Sequence, residues 1–349
     1  MPPLENEANN LRVYGWEEIK KHDKENDAWV VKDGEVFDVS KFLKEHPGGS
    51  SIVLPHLGED IGDIFVDDDM HAHSKAAHSM MARYRIGTLA GAAVRSQDKG
   101  DGANSKLPFI DFSKPIICQV GQLGDRYSEI IHTPQVLDEP ARFFEWDFFE
   151  FFSRTPWYVV PAVWVPVVFL LLKYASTLGL SSPEIGGTWS AGVLTWTLIE
   201  YTLHRHVFHL DELVQFSKWS ITTHFLLHGV HHLLPMDPMR LVFPPVLTIL
   251  FIGPFYFLFR LAFSVPVAVC LLAGGLSGYM SYDLTHYYLH HSAKPPLEYL
   301  RSLKTYHLAH HYKNPKLGYG ITTKFWDFAF DTVLDESTAS GHRTKAKVN

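Results

Sequence analysis

Cysteine is almost missing from this chain, with only Cys118 and Cys270 among 349 residues. Two thiols build neither a disulfide framework nor a thiolate cage for zinc, so any metal must be held by other side chains, and the usage suits a reducing, cytosol-facing chain. The first thirty residues lack the apolar run of a cleaved secretory signal, so the N-terminus is expected to stay in the cytosol. No GxGxxG motif is present, so the chain carries no dinucleotide-binding fingerprint of its own. A surplus of Lys and Arg is lacking too: the net charge is -7, which argues against nucleic acid as a partner.

What is present divides unevenly along the chain. Its length suits about two domains. Residues 12–90 have the mixed pattern of a small α+β domain, with alternating residues at Ala28-Trp29-Val30-Val31 and Glu35-Val36-Phe37-Asp38-Val39 predicting strands on either side of an Asp33-Gly34 turn. Helical patterning is expected to resume at Ser40. Residues 91–106, GAAVRSQDKGDGANSK, read as a linker, and as a flexible coil they would span ~22 Å. In the connecting segment 107–156, the cluster Phe143, Phe144, Trp146, Phe148 and Phe149 suggests a membrane interface. Four apolar stretches follow at 157–172, 189–203, 241–259 and 265–282, each near the ~17 to 25 residues that cross a bilayer. An even number of spans puts both termini on one side. The segment 175–188 has no Lys or Arg, whereas the region after the fourth stretch carries Lys294, Arg301, Lys304, Lys313, Lys316 and Lys324, so the histidine-rich segments should face the cytosol.

Histidine is the surplus residue, with 21 in all and 13 of them between His204 and His311. They form HRHVFH with His204 and His209, HGVHH with His228, His231 and His232, HYYLH with His286 and His290, and HLAHH with His307, His310 and His311. Positions i, i+3 and i+4 of a helix share a face, so each HxxHH is expected to gather three imidazoles and HxxxH two. Ten convergent imidazoles exceed what one ion can use, and two metal ions are the economical inference. Imidazole suits Zn, Cu, Fe and Ni alike. Glu200, four residues before His204, and Asp283, three before His286, are candidates to orient ligand imidazoles.

Two resemblances follow from these motifs. Glu45-His46-Pro47-Gly48-Gly49, His73-Ser74, Trp29, Asp38-Val39-Ser40, Phe42 and Arg85-Ile86-Gly87 resemble cytochrome b5, which implies haem b held axially by His46 and His73, an iron without an open position, and a role in carrying electrons. The histidine boxes, with Trp196-Thr197-Leu198-Ile199-Glu200-Tyr201, His224-Phe225-Leu226-Leu227-His228-Gly229, Leu234-Pro235-Met236-Asp237 and Phe325-Trp326-Asp327, resemble the fatty acid hydroxylase branch of the sterol desaturase and hydroxylase superfamily. A b5-like domain in front narrows this to the fatty acid 2-hydroxylases. The resemblance implies that the ten histidines above are the metal ligands, and it leaves out His206, His224 and His291.

The implied architecture is an α+β b5-like haem domain at 12–90, the linker, the connecting segment, an all-α membrane domain at 157–334 with about four transmembrane helices and a cytosolic histidine-rich cap, and a tail at 335–349. The implied activity is oxygen-dependent hydroxylation at C2 of an acyl chain, with a ceramide or fatty acyl lipid as substrate. Iron is expected, since breaking an unactivated C–H bond needs an oxidant that side chains lack, although zinc can occupy the same imidazoles. The expected partners are the membrane, O2 and an NADH-dependent cytochrome b5 reductase, and the expected location is the endoplasmic reticulum membrane. The tail Lys345-Ala346-Lys347-Val348-Asn349 resembles a KxKxx retrieval signal. A docking expectation follows from charge: acidic Glu45, Glu59, Asp60, Asp63 and Asp67, Asp68 and Asp69 in the haem domain, against Arg205, Lys218, Arg240 and the C-terminal lysines. The alternatives are a b5-fused acyl-lipid desaturase, whose third box would typically open with glutamine, and a non-catalytic membrane electron carrier, which leaves ten aligned histidines unexplained.

Overall fold

The structure, a computed structural model, describes residues 12–43, 46, 50–66, 73, 75–91, 110–135, 137, 140–292 and 295–334. The linker beyond Gly91, the KxKxx tail, Glu45 and Asp67 to Asp69 lie outside the described residues. The chain divides into two compact units between residues 108 and 109.

In the first unit five strands, β1 Arg12–Tyr14, β2 Asp23–Lys24, β3 Asp27–Lys32, β4 Glu35–Asp38 and β5 Arg85–Leu89, form one sheet in the order β1-β5-β4-β3-β2. Only the β1–β5 pair is parallel. The β3–β4 hairpin turns on Asp33 and Gly34, both at positive φ (52° and 77°), as a tight Asp-Gly turn requires. Strand alternation then sorts the side chains: Ala28 and Val30 join Phe37, Leu43, Leu57 and Phe65 in one cluster, while Trp29 and Val31 pack with Tyr14, Ile19 and Val36 on the other face. Among the described residues 40–43 the chain forms a turn rather than the helix expected from Ser40, and the next helical segment described is Ser50–Val53. Asp38 instead accepts hydrogen bonds from the Ser40 N–H (3.0 Å) and hydroxyl (2.5 Å), the Ser40 oxygen accepts from the Ala28 N–H (2.8 Å), and the chain closes a single turn with Leu43 N–H on Val39 O (2.9 Å). This is the local competition that makes Asp and Ser turn formers.

The second unit is helical. Its long helices are α1 Val159–Thr177, α2 Ser182–Leu203, α3 Pro245–Ala262, α4 Val265–His291 and α5 Glu298–Tyr312. Among the described residues α1, α3 and α4 are long and apolar enough to cross a membrane. α2 has the length but carries Glu184, Glu200 and several Ser and Thr, so the expected four stretches correspond to four long helices of which three are strongly apolar. The boundaries shift for local reasons. α2 starts earlier, at a capping box of Ser181 and Glu184 ahead of Pro183, and α3 starts only at Pro245, after the break at Pro244. α4 continues to His291.

α4 is the central helix, buried over most of its length, and it meets α2 at very short range. A Cβ on Gly192 would lie 2.4 Å from the Leu271 carbonyl oxygen, and one on Gly274 would lie 2.1 Å from that of Trp189. Small residues at such a crossing let two backbones approach closely, the usual basis of helix association in lipid. The connecting segment differs from expectation. Ile116, Val120, Tyr127, Ile131 and Phe143 are buried, and the Tyr127 hydroxyl lies 2.6 Å from His224 Nδ1, so this segment packs on the cap. Phe143 lies under the Arg240 guanidinium at 3.8 Å, while Trp146, Phe148, Phe149, Phe151 and Phe152 remain exposed as an aromatic patch. Arg240 is also not available for docking: it is buried and ion-paired to Glu150 (2.5 Å) and Asp237 (2.8 Å), two carboxylates that hold it against Phe143.

Candidate metal centre

α2 does not end at Leu203 but runs into a π-helical turn, His204–Phe208. The wider turn brings i and i+5 onto one side, and His204 and His209 meet with their Nε2 atoms 3.3 Å apart. A second π turn, Phe225–Gly229, joins the short helices Lys218–His224 and Val230–Leu233 that carry HGVHH. Glycine is required at its end, because a Cβ on Gly229 would fall 2.3 Å from the Tyr127 hydroxyl. α4 supplies His286 and His290, and α5 supplies His307, His310 and His311.

All ten histidines converge, but not box by box. One cluster holds His231, His286, His290, His307 and His311; the other holds His204, His209, His228 and His232, with His310 Nε2 joining at 3.1 Å from His209 Nε2. Each HxxHH motif is therefore divided, its i and i+4 members going to one cluster and its i+3 member to the other. Successive helical residues point ~100° apart, so His231 and His232, like His310 and His311, face adjacent sites. The expectation of three imidazoles of one box around one point is corrected by this geometry.

The donor set fits two cations. His307 Nε2 lies 2.9 Å from His286 Nε2, 2.8 Å from His290 Nε2 and 3.1 Å from His311 Nε2, and a single ring proton cannot satisfy three nitrogens at once. Both nitrogens of His231 and the Nδ1 atoms of His232, His290, His307 and His311 are buried without a hydrogen-bond partner. Burial, reinforced by neighbouring imidazoles, holds His209, His228, His231, His232, His307, His310 and His311 well below the ordinary histidine value, and burial takes His204 to about 4. Neutral imidazole is the metal-binding form.

The orienting partners are backbone carbonyls rather than the expected carboxylates. His204 Nδ1–H donates to Tyr319 O (2.6 Å) and His310 Nδ1–H to Leu317 O (2.8 Å). The 317–322 loop is in turn shaped by Asp327, which accepts from the N–H groups of Tyr319 (3.0 Å) and Gly320 (2.8 Å); the Phe325-Trp326-Asp327 motif signalled this residue without its role. Glu200 accepts from the Thr322 N–H and hydroxyl, and Asp283 from the Phe243 N–H and the Tyr279 hydroxyl, so neither touches an imidazole. His206 is exposed, and the His291 ring lies tilted against Tyr287 with centroids 4.5 Å apart. His224 has both nitrogens engaged, by Tyr127 and by Phe208 O (2.7 Å). His132, which no spacing pattern flags, reaches the cluster from the connecting segment, with its ring 5.1 Å from His232 and 6.2 Å from His209.

An apolar cavity of about 220 Å³ opens beside His228, His231 and His286 and extends between α2, α3 and α4 past Leu203, Phe251, Ile252, Phe255 and Leu276. Its lining is almost wholly apolar, the chemistry that suits a hydrocarbon chain.

In the first unit His46 and His73 face each other with ring centroids 6.3 Å apart. Two metal–nitrogen bonds of ~2 Å plus half a ring at each end come to about 6 Å, so one iron fits between them. His73 stacks on Phe65 at 3.9 Å and its Nδ1–H donates to Phe65 O at 3.1 Å, which orients the ring. Of the neighbouring histidines, His78 is exposed and His71 lies outside the described residues.

Comparison with known proteins gives two family matches: residues 15–90 to the cytochrome b5-like heme/steroid binding domain, and residues 189–332 to fatty acid hydroxylase. The chain is 36% identical to the "Ceramide very long chain fatty acid hydroxylase SCS7" of Saccharomyces cerevisiae, over 94% of this chain and 96% of that one. It is 36% identical to the "Fatty acid 2-hydroxylase" of Rattus norvegicus, over 88% and 92%, and 47% identical to the "Dihydroceramide fatty acyl 2-hydroxylase FAH2" of Arabidopsis thaliana, over 64% and 93%. A solved structure, "Full length scs7p (only hydroxylase domain visible)", superposes with a TM-score of 0.63 at 42% identity, covering 66% of this chain and 88% of that one.

Proposed function

This chain belongs to the fatty acid 2-hydroxylase family, and we propose from that membership that it is a membrane hydroxylase adding one hydroxyl group at C2 of the N-acyl chain of a ceramide or related sphingolipid. The observation that carries the reading is the pair of five-imidazole clusters at the head of an apolar cavity. The desaturase and electron-carrier alternatives find no support in these relatives.

His204, His209, His228, His232 and His310 would hold one ion, and His231, His286, His290, His307 and His311 the other. Iron held there supplies, with dioxygen and two electrons, the oxidising power that no side chain offers. The protein's part is placement. The cavity between α2, α3 and α4 strips water from the acyl chain and brings its polar end toward His228, His231 and His286. The Tyr319 and Leu317 carbonyls keep His204 and His310 in one tautomer and one orientation. In the first unit His46 and His73 would hold haem b, which would supply single-electron transfer there. An NADH-dependent cytochrome b5 reductase is the electron source this reading assigns, since the chain has no dinucleotide fingerprint. We assign the working units as 12–90 for haem, 91–106 as tether, 107–156 as support for the cap and 157–334 for the reaction. The endoplasmic reticulum, with both termini cytosolic, is the assigned location, supported by the lysines after α4 and their lack between α1 and α2.

The test is expression of the whole chain in cells without the activity, followed by mass spectrometry of their lipids. Ceramides heavier by one oxygen, placed at C2, are expected. Lipids lighter by two hydrogens, or oxygen on a sterol ring, would overturn the assignment.

A further inference from the structure

Glu200 has no part in the metal centre as described above, yet it is only 4% exposed and lines the apolar cavity that runs to His228, His231 and His286. Its two oxygens are treated differently. Oε1 accepts from both the N–H and the hydroxyl of Thr322, while Oε2 is buried with no hydrogen-bond partner. The Trp196 indole N–H, one turn back on α2, and the Ile321 backbone N–H lie near this carboxylate, but neither closes a hydrogen bond to Oε2. An unpaired buried carboxylate oxygen is costly, and on a cavity wall it is a place kept for a donor that arrives with the ligand.

Few donors can arrive there. In its ionised form a carboxylate oxygen accepts only, and an ionised free acid or a thioester offers no N–H or O–H next to the carbon that reacts. An N-acyl lipid does: its amide N–H is separated from C2 by the carbonyl carbon alone. The amide carbonyl is also provided for, because the Trp196 Nε1–H and Arg240 Nε–H, on residues lining the same cavity, are likewise unpartnered. We propose that Glu200 Oε2 accepts the amide N–H of the substrate, making Glu200 the residue that selects N-acyl lipids over free acids and acyl esters. The proposal rests on the hydroxylase reading given above.

The test compares a ceramide with its ester isostere, in which oxygen replaces the amide N–H without adding bulk, using the full-length protein in membranes and counting 2-hydroxylated product. Wild type should favour the amide by roughly ten- to hundredfold in kcat/KM, the worth of one hydrogen bond to a charged acceptor. In Glu200→Gln the amide oxygen stays on Thr322 and an NH2 group takes the place of Oε2, turning the acceptor into a donor. The preference should then fall to within about threefold of unity. Equal wild-type rates on the two lipids, or full preference retained in E200Q, would overturn the proposal while leaving the hydroxylase reading intact. A wild type that hydroxylates neither lipid would overturn both. If E200Q turns over neither lipid, the wild-type ratio alone decides, and a ratio near one counts against Glu200.

Discussion

Replacing Lys304 by methionine should both destabilise the helical unit and empty one of the two metal sites. Lys304 is buried on α5, and its ammonium donates to Leu289 O (2.8 Å), Ser292 O (2.8 Å) and, more weakly, His290 O (3.4 Å). Those are the last carbonyls of α4 together with that of Ser292, which caps it, and no residue of that helix can satisfy them. Burial lowers the Lys304 proton affinity to about 8, so the group stays cationic at pH 7 and complements the negative end of α4. Methionine keeps the length and removes every donor. Charge-assisted hydrogen bonds contribute ~1.5 to 3 kcal/mol and the helix-end charge up to ~1 more, so a loss of about 2 to 4 kcal/mol is expected. At ~2 to 4 °C per kcal/mol for a unit of this size, Tm should fall by roughly 4 to 16 °C. The same turn carries His290, and His307 follows Lys304 by three residues, so metal should be lost first from the cluster of His231, His286, His290, His307 and His311. Metal analysis of purified protein in detergent, with thermal unfolding in parallel and the haem absorbance as an internal control, provides the assay. Unchanged Tm and full metal content in K304M would refute the reasoning, because the carbonyls of α4 would then have other partners.

The division of the HxxHH boxes makes a prediction about neighbours: His231→Ala and His232→Ala should each release about one ion per chain, and the double variant both, whereas H231A with H286A should release no more than H231A alone. Metal stoichiometry checks it, and joint loss of both ions from each single variant would contradict separate sites. Metal-stripped protein should be sensitive to acid: the cap histidines have folded values far below the unfolded ~6.5, so stability is level above that pH and falls below it as the unfolded chain takes up protons, by ~1.4 kcal/mol per histidine per pH unit. Denaturant midpoints between pH 5 and 8 measure this, and a flat profile would exclude buried neutral imidazoles. Finally, His46→Ala and His73→Ala should each abolish the low-spin bis-histidine spectrum, and its survival in H73A would assign the second ligand elsewhere.

Much of this protein is written in local pattern. The Asp33-Gly34 hairpin, the four apolar stretches, the HPGG segment and the spacing of the histidine boxes each depend on residues a few positions apart, and helix periodicity places the i and i+4 histidines of each HxxHH box on one face. The family resemblance rests on the same short motifs. What the sequence by itself determined was therefore the kind of chemistry and the side chains available for it. Tertiary structure decided how they are shared out. His310 meets His209 across 101 positions, Tyr127 meets His224 across 97, and Glu200 is claimed by Thr322 across 122. Arg240 reads as a surface cation until Glu150, ninety residues away, buries it, and His132 shows no pattern at all until the connecting segment folds onto the cap. Periodicity sets direction only relative to a residue's own helix axis; which site a side chain reaches depends on how those axes cross, and that is set by close packing such as the Gly192–Gly274 contact, which joins residues with no periodic relation in the chain.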